Sequence, residues 1–123
     1  MALPAKLQNE IRQYQRLQQD LSQISQQRMQ IDLKLRETNH TLDELKNVPD
    51  DTVIYRPIGG LLVRAQGKKE VVDLLADDKE TLEVRVKALE RNENQLKERY
   101  TTMTKELSDA LQAAGVSTAG PTP

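Results

Sequence analysis

Cysteine, phenylalanine and tryptophan are all absent from these 123 residues, and His40 is the single histidine. Without cysteine there can be no disulfide, no thiolate nucleophile and no Cys-based metal site. Aromatics amount to 2%, three tyrosines, whereas a compact core of this length normally rests on several large aromatic anchors. An excess of positive charge is missing too. Eighteen basic residues face 19 acidic ones, net −1, so nothing is in surplus to neutralise a phosphate backbone or an anionic membrane. No apolar run approaches membrane-spanning length, and Met1-Ala2-Leu3-Pro4-Ala5-Lys6 carries none of the apolar stretch of a signal peptide. A soluble, cytoplasmic chain without nucleic-acid or membrane partners is the expectation.

What the chain does contain is Leu, Ile and Val at regular spacing among Gln, Glu, Lys and Arg. With 37% hydrophobic and 30% charged residues, that pattern fits long helices paired along a narrow seam. Taking Leu7 as a heptad a position, the first arm has Leu7, Tyr14, Leu21, Arg28, Leu35 and Leu42 at a. Its d positions are Glu10, Leu17, Ile24, Ile31, Thr38 and Leu45, and nine of these twelve are apolar. Pro4 suits a first helical turn, and Asn47 and Pro49 mark the exit. The second arm has Val72, Lys79, Val86, Glu93, Tyr100 and Leu107 at a. At d it has Leu75, Leu82, Leu89, Leu96, Met103 and Ala110, so ten of twelve are apolar. The spacing predicts helices over 4–47 and 68–113 within one domain, each on the order of 60 Å long at 1.5 Å per residue.

Antiparallel pairing layers the a positions of one arm with the d positions of the other. The register that sets Leu42 on Leu75 also sets Tyr14 on Met103 and Leu17 beside Tyr100, and its midpoint falls between Ile58 and Gly59. Heptads and turn glycines therefore point to the same fold-back. Arg28 and Glu93 fall in adjacent layers, either as an ion pair that fixes register or as side chains snorkelling to solvent. Thr38 opposite Lys79 marks a loosened stretch of seam.

Between the arms, residues 52–65 read as a β-hairpin. Val53, Ile54, Tyr55, Ile58, Leu61, Leu62 and Val63 are β-formers, and Gly59-Gly60 can supply the positive φ of a tight turn. Pro49-Asp50-Asp51 suits an entry turn. Apolar residues lie on both faces of this ribbon, Val53 and Tyr55 on one and Ile54 and Ile58 on the other. An isolated hairpin is marginal in water. One that is apolar on both faces and open at both edges is an association element. The fold class expected is therefore α-dominated: a long antiparallel two-helix coiled coil joined by one hairpin, which assembles with other chains into a β-barrel platform.

The segment Asp51-Thr52-Val53-Ile54-Tyr55-Arg56-Pro57-Ile58-Gly59-Gly60-Leu61-Leu62-Val63 resembles the hairpin of β-type prefoldin subunits, the archaeal ones above all. Lys79-Glu80-Thr81-Leu82-Glu83-Val84-Arg85-Val86-Lys87-Ala88-Leu89-Glu90 is similar to their second helix. The likeness spans about Leu7 to Leu111, and a single hairpin matches the β type. Two features depart from it: Pro57, which cannot donate to a ladder, and the segment 115–123, whose composition reads as a disordered tail.

The resemblance implies an ATP-independent cytosolic chaperone, a hexamer of two α and four β subunits. It holds unfolded proteins at coiled-coil tips and passes them to a group II chaperonin, and it uses no cofactor. The tip residues are then Leu3, Leu7, Ile11, Leu107, Leu111 and Val116, where fraying of the helix ends would expose apolar side chains to a client. Many weak tips around one client give avidity without a deep pocket.

An enzyme is a poor alternative. His40 sits on the outer side of the first arm, and Asp50-Asp51 and Asp77-Asp78 suit turn and surface roles rather than a metal site. Gly59-Gly60 lacks the spacing of a phosphate loop. A structural or tethering coiled coil, with the hairpin as its oligomerisation clasp, is the competing reading.

Overall fold

The computed structural model describes residues 3–115. Helix α1 spans Ala5–Leu45, strands β1 (Tyr55–Ile58) and β2 (Leu61–Arg64) follow, and helix α2 spans Lys68–Ala113. The two strands pair antiparallel as a single hairpin. Two long coiled-coil helices joined by a hairpin are thus the fold. The tail expected over 115–123 lies outside the described residues from Val116 onward.

The heptad reading translates directly into burial. All twelve seam positions of α1 and all twelve of α2 are buried or half-buried, including the polar Glu10, Thr38 and Lys79. Leu7, Leu17, Ile31 and Leu45 on α1 and Val86 and Leu107 on α2 are the most enclosed apolar side chains, together with Val71. Val71, near the start of α2, is off the seam by one position and still buried. The described residues divide into two compact units, 3–27 with 89–115, and 28–88.

In the first unit, the start of α1 and the end of α2 are held by an aromatic pair. The rings of Tyr14 and Tyr100 stack with centroids 5.0 Å apart and planes inclined by 18°. The Tyr14 and Thr104 hydroxyls share a hydrogen bond of 3.0 Å, and the Gln18 amide donates to the Tyr100 hydroxyl at 3.1 Å. Tyr14 therefore touches the residues one turn apart that bracket Met103. That is the layer the heptad register assigns it. Glu93 is buried and lies 3.7 Å from Lys97. Helix α2 closes on Gly115, whose N–H donates to the Gln112 carbonyl at 3.0 Å and whose positive φ of 79° is the left-handed conformation that glycine adopts at a helix end.

In the second unit, α1 ends in tight turns, with Lys46, Asn47 and Val48 each donating to the carbonyl three residues back. The half-buried Lys68 ammonium caps this exit by donating to the Val48 carbonyl at 2.8 Å, with Asp50 at 3.7 Å. Thr52 N–H to Pro49 O at 3.1 Å forms the entry turn around Asp50-Asp51. At the hairpin tip only Gly59 has positive φ, 59°, the first central position of a type II′ turn. Gly60 does not use its special freedom. Glu70, in the first turn of α2, accepts from the Gln66 N–H at 2.6 Å and lies 3.7 Å from the Arg56 guanidinium. One carboxylate thus ties β1 to the start of α2 and meets the positive end of the helix dipole. Arg28 pairs with Asp32 at 2.7 Å. Two open clefts of about 580 and 350 Å³ lie in this unit, with Lys79 on the wall of one and Thr38 on the wall of the other.

Candidate functional site: two binding surfaces

The hairpin is the first surface. Side chains alternate across a strand, so Tyr55, Pro57, Leu62 and Arg64 share one face, and Arg56, Ile58, Leu61 and Val63 the other. Tyr55, Ile58, Leu61, Leu62 and Val63 are all exposed, Leu61 and Leu62 at 71% and 72%. Val53 is exposed and Ile54 half-buried; Gly59 and Gly60 have open space around them. Main-chain parity settles the question that Pro57 raises. Ala65 donates to the Ile54 carbonyl at 2.8 Å, so Ile54 and Ala65 form a hydrogen-bonded pair. Bonded and non-bonded pairs alternate along an antiparallel ladder. Arg56–Val63 and Ile58–Leu61 are therefore bonded, while Tyr55–Arg64 and Pro57–Leu62 turn their main-chain groups outward. Pro57 costs the hairpin no internal bond.

The second surface is a groove of about 520 Å³ between the start of α1 and the end of α2. It is lined by Ile11, Tyr14, Gln15, Gln18, Thr104, Leu107, Ser108 and Leu111. None of the eight carries charge, in a chain that is 30% charged. The Tyr14–Tyr100 stack and its bonds to Thr104 and Gln18 stiffen one wall. Among the expected tip residues, the structure brings Ile11, Leu107 and Leu111 together here. Leu7 and Leu107 are the zipped part, 6% and 7% exposed, while Leu3, Ile11 and Leu111 are half-buried. Val116 lies outside the described residues.

The heptad places Tyr14 on the seam and Gln15, Gln18, Thr104 and Ser108 off it, so it does not single out these five as groove lining. A signal for them exists: 11, 14, 15, 18 and 104, 107, 108, 111 each follow i, i+3, i+4, i+7. Each is a charge-free stripe on one helix face. Apolar residues off the seam are exposed as well, Met29 and Leu33 one turn apart on α1 and Leu74 and Val84 on α2.

The described residues hold no group of three or more His, Cys, Asp or Glu side chains that could bind a metal. None of the described helices is long and apolar enough to cross a membrane. His40 is exposed and lies 3.9 Å from Glu44.

Two long helices joined by a single antiparallel hairpin define the class of fold. The sequence pattern of the family described as prefoldin subunit matches residues 8–114. The prefoldin subunit beta of Thermoplasma acidophilum is 41% identical over 110 residues, covering 89% of this chain and 86% of that one. That of Archaeoglobus fulgidus is 39% identical over 109 residues, covering 89% and 93%. The crystal structure of the prefoldin beta subunit from Thermococcus strain KS-1 superposes with a TM-score of 0.79 at 37% identity, covering 89% of this chain and 96% of that one. The chain belongs to the prefoldin family, and within it to the archaeal-like β side. Members of this family are non-enzymatic chaperone subunits.

Proposed function

We propose that the chain is one of four β subunits which, with two α-type subunits, form a cytoplasmic, ATP-independent hexamer built on hairpins. The hexamer captures unfolded proteins at the helix ends and delivers them to a group II chaperonin. The charge-free groove carries this reading. Ile11 and Leu111 offer apolar contact at half burial, and the neighbouring Gln and Thr side chains can donate to or accept from an unfolded main chain. No buried charge there selects one client sequence over another, which suits a binder of many sequences.

The test is dilution of a chemically denatured protein into the assembled hexamer, followed by light scattering. Ile11→Ser with Leu111→Ser should leave helicity intact and raise scattering several-fold above the unsubstituted assembly. Scattering as low as that of the unsubstituted assembly would remove the groove from the client site. The burial of Leu7 and Leu107 favours a second reading, a tethering coiled coil with closed ends and the hairpin as its clasp. In that case the unsubstituted assembly would leave client aggregation unchanged.

A further inference from the structure

The groove at the helix ends lies beside the point where the chain leaves α2. There the Gly115 N–H bonds to the Gln112 carbonyl, three residues back, at 3.0 Å, and Gly115 has a φ of 79°. A left-handed glycine bonded in this way is half of a paired helix ending. The other half is a bond from the next N–H to the carbonyl five residues before it, with an apolar contact between those two side chains. Counted back from Val116, that residue is Leu111, which lines the groove. The helix end therefore aims the chain back at the groove rather than away from it.

Chemistry and reach agree with that aim. Residues 110–123 contain no Asp, Glu, Lys, Arg or His, in a chain that is 30% charged. The groove lining is charge-free as well. A charged segment would lose its hydration there with no opposite charge to answer it, and this segment brings none. From Leu111 to Thr104, α2 rises about 10 Å at 1.5 Å per residue. Three to four extended residues cover that distance at about 3.3 Å each. Val116 to Ala119 is such a length, with its two apolar side chains at its ends. The Gln15 amide on the facing helix can donate to and accept from an extended main chain. We infer that the segment from Val116 to Ala119 turns back at Gly115 and lies in the groove as its resident occupant, which a client must displace. This inference rests on the reading of the groove as the client site.

A resident occupant gives the groove a threshold. A segment tethered by a short link acts at an effective concentration in the millimolar range, so even weak apolar contact keeps it in place. One short apolar stretch of a folded protein loses that competition. An unfolded chain that engages several grooves at once wins it.

Because the chain has no cysteine, two introduced thiols report the contact in the assembled hexamer. Thr118→Cys with Ser108→Cys, a groove position, should form its intrachain disulfide at least about tenfold faster than Thr118→Cys with Glu106→Cys. Glu106 is exposed and two residues from Ser108, on the far side of α2. Val116→Asp with Ala119→Asp charges the segment and should raise the fluorescence of added Nile red, a neutral apolar dye, several-fold with helicity unchanged. Adding Ile11→Ser and Leu111→Ser should abolish that rise. Equal oxidation of the two cysteine pairs, or dye fluorescence unmoved by the two aspartates, overturns the inference.

The same disulfide separates the inference from its premise. With the segment locked, the hexamer should suppress aggregation of a denatured client several-fold less well, and reduction should restore it. If the groove pair oxidises selectively and the locked hexamer captures client undiminished, the groove is not the client site and the proposed function falls at that point. If Ile11→Ser with Leu111→Ser abolishes capture while the two cysteine pairs oxidise alike, only the resident segment falls.

Discussion

The two surfaces are both apolar, yet they offer different things to a partner. The hairpin presents side chains and unpaired main-chain groups together, with Leu61 and Leu62 at the exposed extreme. The groove at the helix ends presents side chains alone, because the main chain of residues 11–18 and 104–111 is already bonded within α1 and α2. A strand edge asks for another strand in a fixed register, so its partner is specific and lasting. A groove with a satisfied main chain rewards apolar contact from any direction and discriminates weakly. On the proposed reading, it is this difference in backbone chemistry, rather than in hydrophobicity, that separates the assembly surface from the client surface.

That division breaks most sharply if the two surfaces can be uncoupled. Leu61→Asp with Leu62→Asp puts charge on both faces of the hairpin while leaving the helix seam untouched. Assembly should be lost completely by native mass, with helical circular dichroism of the separated chains unchanged. Client capture should then fall by about two orders of magnitude or more, because single grooves lose the avidity of several acting on one client. Separated chains that suppress aggregation as well as the hexamer would show that the groove needs no assembly.

The second comparison lies within the end unit, between seam and groove. Leu17 is 4% exposed, and Leu17→Ala should cost about 2–5 kcal/mol of stability, read as a lower thermal midpoint. Ile11→Ser, at a half-buried groove position, should move the midpoint far less while weakening client capture. If both substitutions act equally on both readouts, the groove is part of the core and not a separate surface.

Much of this was legible in the chain, for identifiable reasons. A 3.5-residue repeat interrupted by Pro49 and Gly59-Gly60 leaves few alternatives to a helix pair folded at a hairpin, and every seam position is withdrawn from solvent. The groove was less legible, because Gln15, Gln18, Thr104 and Ser108 look like any solvated helix face until the two stripes are set side by side. Val71 lies one position off the seam and four residues before Leu75, so a strict a/d heptad leaves it out although it is buried. The outward direction of Pro57 follows from the parity that a two-residue turn imposes. It becomes readable only once Gly59-Gly60 is known to be the whole turn.

The smallest effect concerns the tyrosine pair that stiffens the groove wall. Tyr100 is lowered from the ordinary tyrosine value by the Tyr14 hydroxyl and then by the Gln18 amide. At Tyr14 the Thr104 hydroxyl pulls downward, but the Tyr100 hydroxyl, loss of hydration and the charge of Tyr100 together push upward, and the net shift is upward. A raised value stabilises the folded state below the unfolded value near 10 and loses that contribution as pH climbs through the folded value. A lowered value contributes above the unfolded value and loses its contribution as pH falls through the folded one. The two oppose each other, so the thermal midpoint should change little near pH 10 on their account, while the order of ionisation is set. Ring-labelled NMR should show Tyr100 ionising before Tyr14. In Tyr14→Phe the titration of Tyr100 should move up toward that of an ordinary tyrosine, because the neighbouring hydroxyl that lowers it most is gone. A Tyr100 titration unmoved by that substitution would mean the stacked rings meet without communicating through their hydroxyls, and the groove wall would owe its stiffness to packing alone.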